Sequence, residues 1–140
     1  MIKYLICSLL LLAFILSGCR MNESASGGKA SIYGFVELTG TVNGYQVSGA
    51  RISNQTTVYI KYGATSFPGT DPSQYDSQQN VDSKGNFNFG TMFMGSYYLY
   101  AVGYYVDKNL FVYHVAGGTQ VNITTRKANL NYDIAVKVIK

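Results

Sequence analysis

The chain has no tryptophan, two prolines, two cysteines and one histidine, and only 13% of its residues are charged. Each shortage excludes something. Both cysteines, Cys7 and Cys19, fall near the start of the chain, so no disulfide can staple the body that follows, and its stability rests on core packing. The histidine, His114, stands in the apolar stretch LFVYHVA, where a zinc site or a histidine-centred triad would need every other member to gather around it. It reads as a sheet-face residue. Asp71, Asp76 and Asp82 lack the dense acidic spacing of a calcium loop, and Glu23 and Glu37 have no acidic neighbour in sequence with which to form a glycosidase pair. The 11 basic residues outnumber the 7 acidic ones without clustering beyond the pair Arg126 and Lys127, which argues against a nucleic-acid surface. The longest oily run, Leu5 to Leu16, falls short of the about 20 apolar residues that a membrane-crossing helix needs.

What is present is sheet-forming. There are 13 Tyr, 7 Phe and 15 Gly in 140 residues, enough for one domain and too hydrophobic for disorder. Residues 1–18 read as a secretory signal, with Lys3 as its positive start and Leu5 to Leu16 as its apolar core. Its end, Leu16-Ser17-Gly18-Cys19, resembles the lipobox of bacterial lipoproteins. That resemblance implies cleavage before Cys19, removal of Cys7 with the signal, and a thioether-linked diacylglycerol on the new terminal residue. No other cofactor is expected. Two or three acyl chains hold a protein at a membrane where one would hold it only marginally. Arg20 stands where relatives kept at the inner membrane often carry Asp, which implies the outer membrane. Residues 19–30 then form the lipidated terminus and a flexible Gly- and Ser-containing tether, and residues 31–140 the domain.

Beyond Ala30 the pattern has period two. Ile32, Gly34, Val36 and Leu38 alternate with Tyr33, Phe35 and Glu37, and Leu130, Tyr132, Ile134, Val136 and Val138 share one face of a last strand. Shorter strands are predicted near 46–53, 57–62, 77–81, 86–90, 96–106, 110–115 and 119–124. Turn chemistry separates them at Asn43-Gly44, at Asp82 to Gly85, at Asp107 to Asn109 and at Gly117-Gly118. Pro68 and Pro72 both fall in the longest loop, 63–77, where no ladder needs their missing donor. The expectation is an all-β antiparallel sandwich of about seven to nine strands.

The run VDSKGNFNFGTMFMGSYYLYA, residues 81–101, resembles the core of carboxypeptidase regulatory-like domains, which share a transthyretin-like sandwich. Asp82, Gly85, Phe87, Phe89, Met92, Gly95, Tyr97 and Leu99 stand at the places of that pattern. Gly34 and Val36 resemble its opening strand, and Gly49 and Ala50 the step after it. Met94 departs from the usual proline, and the 63–77 loop exceeds the minimal pattern. The residues also explain themselves physically: Asp82 can accept turn amides, Gly85 can take positive φ, and Phe87 and Phe89, two apart, enter one core. Lys29 and Asn131 lie near the first and last strands, yet no Glu promotes an isopeptide bond between them, and none is expected.

If Tyr97, Leu99 and Ala101 point inward, Tyr98, Tyr100, Val102 and Tyr104 line the opposite face. Such a stripe could stack on sugar rings or seat a protein, or it could simply pair across strands. With no nucleophile, base and stabiliser to name, the expectation is a non-catalytic, lipid-anchored envelope module that binds or supports, with an envelope protein as partner. The alternative is a carbohydrate-binding surface lipoprotein that uses Tyr98, Tyr100 and Tyr104 or the 63–77 loop.

Overall fold

The computed structural model describes residues 24–52 and 55–139; the signal, the lipobox and Cys19 lie outside the described residues. Nine strands follow one another: β1 (Ser26–Val42), β2 (Tyr45–Arg51), β3 (Thr57–Tyr62), β4 (Ser77–Asn80), β5 (Asn86–Met92), β6 (Gly95–Val106), β7 (Val112–Ile123), β8 (Asn129–Asn131) and β9 (Ile134–Val138). Among the described residues a single 3₁₀ turn, Pro72–Gln74, interrupts them, and the all-β expectation holds there.

The spine is β1. Its even-numbered residues Ala30, Ile32, Val36 and Leu38 are fully buried, as period-two patterning requires. One edge of β1 pairs antiparallel first with β5 and then with β2. The other edge carries β8 and then β9, both parallel to it, with Ser31 opposite Asn129 and Val36 opposite Ile134. From β9 the sheet continues through β7, β6 and β3 to β4. It is therefore mixed, not wholly antiparallel. The reason is that the chain leaves β7 at the end of the molecule where β1 begins, so β8 and β9 can only run alongside β1 in its own direction.

The sheet folds over so that both wings share one core, in which Ile32, Val36, Phe87 and Met92 of one wing join Ile60, Tyr97, Leu99 and Val121 of the other, with Ile134 of β9 between them. Burying each large aliphatic side chain contributes about 1.5–3 kcal/mol, which suits a body without disulfides. Tyr97 ties the wings directly. Its hydroxyl accepts the Ala25 N–H at 3.1 Å and stands 2.7 Å from the Phe93 carbonyl, a donating distance. On the other flank Gln79 Oε1 accepts the Asn88 N–H at 2.9 Å, so β4 and β5 meet through a side chain and the sandwich-like fold stays open.

Two ends result. The near end holds Ser24 and Ala25, the β5–β6 link around Phe93, and the β7–β8 loop 124–128; the far end holds the β1–β2 turn at Asn43-Gly44 and the β6–β7 turn after Val106. Both far turns follow the expected chemistry. Asn43 and Gly44 have φ of 50° and 80°, and Asp107 Oδ1 accepts the Asn109 and Phe111 amides.

Three boundaries differ from expectation. The first strand starts at Ser26, inside the stretch read as tether, and Ala25 already accepts the Phe93 amide. The single last strand is two, β8 and β9, interrupted at Tyr132 and Asp133, although both keep one register along β1. Finally, Gly117-Gly118 is not a turn: β7 runs straight through it. A Cβ on Gly117 would stand 2.0 Å from the Ala135 carbonyl oxygen, and one on Gly118 2.7 Å from the Tyr98 ring, so these glycines serve close packing.

The residues that carry the carboxypeptidase-like resemblance lie in the turns and strands of both wings. Gly34 faces the Tyr132 carbonyl, Val36 is buried beside it in the core, and Asp82 to Gly85 forms the turn before β5. Phe87, Met92, Tyr97 and Leu99 are buried, while Phe89 is half-buried against the same cluster. Gly95 opens β6 at φ 145°, and Gly49, at φ 75°, precedes half-buried Ala50 in β2.

Candidate functional site

Among the described residues, the outward face of β3, β6 and β7 carries the largest gathering of aromatic rings in contact. The pairing register sets side chains in rows across it: Lys61, Tyr98 and Gln120; Tyr59, Tyr100 and Gly118; Thr57, Val102 and Ala116; then Tyr104 and His114. Strand β4 extends the face, with Gln78 opposite Tyr59 and Asn80 opposite Thr57. The polar members are amides and a hydroxyl, and the charges are few.

The 63–77 loop does not wave free of this face but folds onto it. Asp76 fixes its returning end: one carboxylate oxygen accepts the Tyr62 amide at 2.6 Å and the other meets Lys61 Nζ at 3.0 Å. Asp71 caps the 3₁₀ turn by accepting the Ser73 amide at 2.9 Å, which also holds its carboxyl below the usual range. The Tyr75 hydroxyl donates to the Gly69 carbonyl at 2.7 Å. Thus braced, the loop sets Phe67 5.1 Å from Tyr100 and 5.8 Å from Tyr98, and stacks Tyr75 on Tyr100 at 5.9 Å between centroids. Tyr59 completes the cluster, 5.4 Å from Tyr75 and 6.4 Å from Tyr100.

Electrostatics follow from that packing. Burial, with the neighbouring Tyr100 and Tyr98 hydroxyls, pushes the Tyr75 phenol up to about 12, and burial followed by Tyr59 pushes Tyr100 up as well. These phenols stay neutral donors and acceptors at any physiological pH. Stacking combined with neutral hydrogen bonding is what the surface offers.

The three predicted tyrosines therefore separate. Tyr100 is only 7% exposed, because Phe67 and Tyr75 cover it, so the tyrosine stripe is closed at its centre. Tyr98 stays partly open and its ring lies across bare Gly118. Tyr104 stands apart, four residues beyond Tyr100 along β6 and so about 13 Å from it, 39% exposed and packed on exposed His114 at 4.5 Å. Phe67 and Tyr75 were missed from sequence because loop aromatics have no period to betray their direction; the only hint was an aromatic on each side of the Pro68 and Pro72 segment.

The remaining candidates for chemistry have local duties. Asp82 Oδ1 accepts the Lys84 and Asn86 amides, and its other oxygen accepts the Asn86 side-chain amide. Among the described residues no three His, Cys, Asp or Glu side chains gather as a metal site. Lys29 and Asn131 are both exposed, and Asn131 lies opposite Tyr33, four positions along β1 from Lys29.

No protein-family profile and no curated protein matches the chain. Among solved structures, the chain is similar to a proposed carbohydrate-binding protein from Pseudomonas aeruginosa, at 14% identity and a TM-score of 0.53, over 80% of this chain and 91% of that one. At that identity the likeness establishes a shared all-β fold.

Proposed function

We propose that the chain is a non-catalytic binding module of the bacterial envelope, tethered by lipid on Cys19, which presents the outward face of β3, β6 and β7 to its ligand. The observation that carries this reading is the braced loop. Asp71, Asp76 and the Tyr75 hydroxyl spend their hydrogen bonds on holding Phe67 and Tyr75 against Tyr98 and Tyr100, and Phe67 remains 46% exposed on top. A pre-organised aromatic surface of this kind reduces the ordering cost of binding. The lipobox supports the anchor and the export it implies, and Arg20 supports the outer membrane.

Carbohydrate is the ligand class favoured by a second observation. The rings are framed by Gln78, Asn80, Gln120 and Thr57, neutral groups suited to hydroxyls, and the structural neighbour from Pseudomonas aeruginosa carries a proposed carbohydrate-binding name. The test uses Phe67→Ser, Tyr98→Ser and Tyr104→Ser, each checked for folding, on a glycan array and in crosslinking within intact envelopes. Loss of a glycan signal supports the carbohydrate reading, and loss of a specific crosslink with the glycan profile unchanged supports a protein ligand. If all three variants keep every interaction of the parent, this face is not the binding surface.

A further inference from the structure

We infer that the near end of the domain rests on an anionic phospholipid surface, with Phe93 set into the headgroup layer and Lys29 and Lys127 over the lipid phosphates. The inference rests on the reading of Cys19 as the lipidated terminus and adds to it a surface and an orientation. Its first support is chain length. Ala25 is already locked to the body, its carbonyl accepting the Phe93 amide at 2.9 Å and its amide donating to Tyr97 at 3.1 Å. Six Cα steps separate it from Cys19, so whatever the path between them, Ala25 stays within about 20 Å of the lipidated residue. The far end of the 12-residue β6 is roughly 36 Å further along the strand. A tether this short keeps the near end at the membrane.

The second support is the chemistry found there. Phe93, between β5 and β6, is 46% exposed, although its own backbone is pinned to Ala25. The loop leaving β7 at Ile123, which pairs with Gly95 at the same end, presents Thr124, Thr125, Arg126 and Lys127 to solvent, and exposed Lys29 lies beside it on β1. Glu23 directly precedes Ser24 in the sequence and is outnumbered by these basic residues. The described acidic residues sit elsewhere: Glu37 lies opposite Arg51 further along β1, Asp71 caps the 3₁₀ turn of the 63–77 loop, Asp82 is in the β4–β5 turn, Asp133 lies between β8 and β9, Asp107 is at the far turn, and Asp76 is engaged by Lys61. An exposed aromatic ring and exposed basic side chains at the same end of the domain are together complementary to an anionic interface.

The chain has no tryptophan, so a single introduced indole reports its own depth. Full-length protein carrying Phe93→Trp or Leu110→Trp is produced with its lipid and reconstituted into vesicles of phosphatidylethanolamine and phosphatidylglycerol, with and without brominated chains. For Phe93→Trp the expected result is a blue-shifted emission and loss of roughly half the intensity to brominated lipid. Leu110→Trp at the far turn should keep its emission. Adding Lys29→Glu and Lys127→Glu to Phe93→Trp should reverse most of the quenching, and so should high salt. Equal quenching of the two indoles, or none at position 93, overturns the proposal. Mass spectrometry of the terminal peptide separates the two failures: an acylated Cys19 with an unquenched position 93 removes the docking surface alone, whereas an unmodified Cys19 removes the anchor reading and this inference with it.

Discussion

Single residues in this chain are chosen as often for what they leave out as for what they add. Gly117 sits in the middle of β7, a position where glycine ordinarily weakens a strand, because the β9 backbone passes so near that any Cβ would meet the Ala135 oxygen at 2.0 Å. Gly117→Ala is therefore expected to destabilise the fold by about 2 kcal/mol, read as a fall in Tm of several degrees, while the usual penalty of a strand glycine would predict a gain. Asp82 works by addition. The Asn86 side-chain and backbone donors, and then Lys84, hold its carboxyl below the ordinary range. A lowered folded value means the ionised form is favoured by folding, so its stabilising contribution is full above the ordinary carboxylate range and is lost as pH falls through the lowered one. Denaturant melts of the parent and of Asp82→Asn should therefore differ at pH 7 and converge as pH falls below the ordinary carboxylate range. A constant gap across that range would mean that the turn owes nothing to the charge.

At the scale of elements, the informative case is the loop that becomes a lid on a strand. Tyr100 belongs to the solvent face of β6 by period, yet it is sealed by Phe67 and Tyr75, whereas Tyr104 on the same face is open. Tyr100→Ala should accordingly cost about 3 kcal/mol, in the range of a buried aromatic deletion, and Tyr104→Ala under about 1 kcal/mol, both measured by chemical denaturation. Similar costs would show that the loop does not close over the face. The same contrast explains what could be read in advance. The β1 alternation, the Asp82 to Gly85 turn and the inward set Tyr97, Leu99 and Ala101 were legible because period and turn chemistry are local properties. The straight passage of β7 through Gly117-Gly118 was not, since two glycines mark a turn or a close approach equally well and the approaching chain, β9, comes from elsewhere in the sequence. Nor could Phe67 and Tyr75 be placed, because the direction of a loop ring depends on bonds such as Asp76 to the Tyr62 amide, made between positions 14 apart.

For the molecule as a whole, the deciding strand is the last. In the sheet path β2-β1-β9-β7-β6-β3-β4, β9 alone stands between the wing built on β1 and the wing built on β6, and it is 5 residues long. Ile134 and Val136 are fully buried, and on its two edges β9 pairs with Val36 to Leu38 and with Val115 and Ala116. Tyr97 also crosses between the wings, but with hydrogen bonds of order 1 kcal/mol that cannot replace two lost ladders and two buried aliphatic side chains. Ending the chain after Asp133 would open a long unpaired edge on each wing and strip the core between them, a loss comparable to the 5–15 kcal/mol that holds a typical domain together. The truncated protein is expected to lose its cooperative thermal transition and its dispersed amide spectrum. Supplying residues 134–140 as a separate peptide should restore both if the defect is the missing strand. A truncated chain that melts as sharply as the parent would show that the two wings associate without β9, through Tyr97 and the Gln79 to Asn88 contact on the open flank.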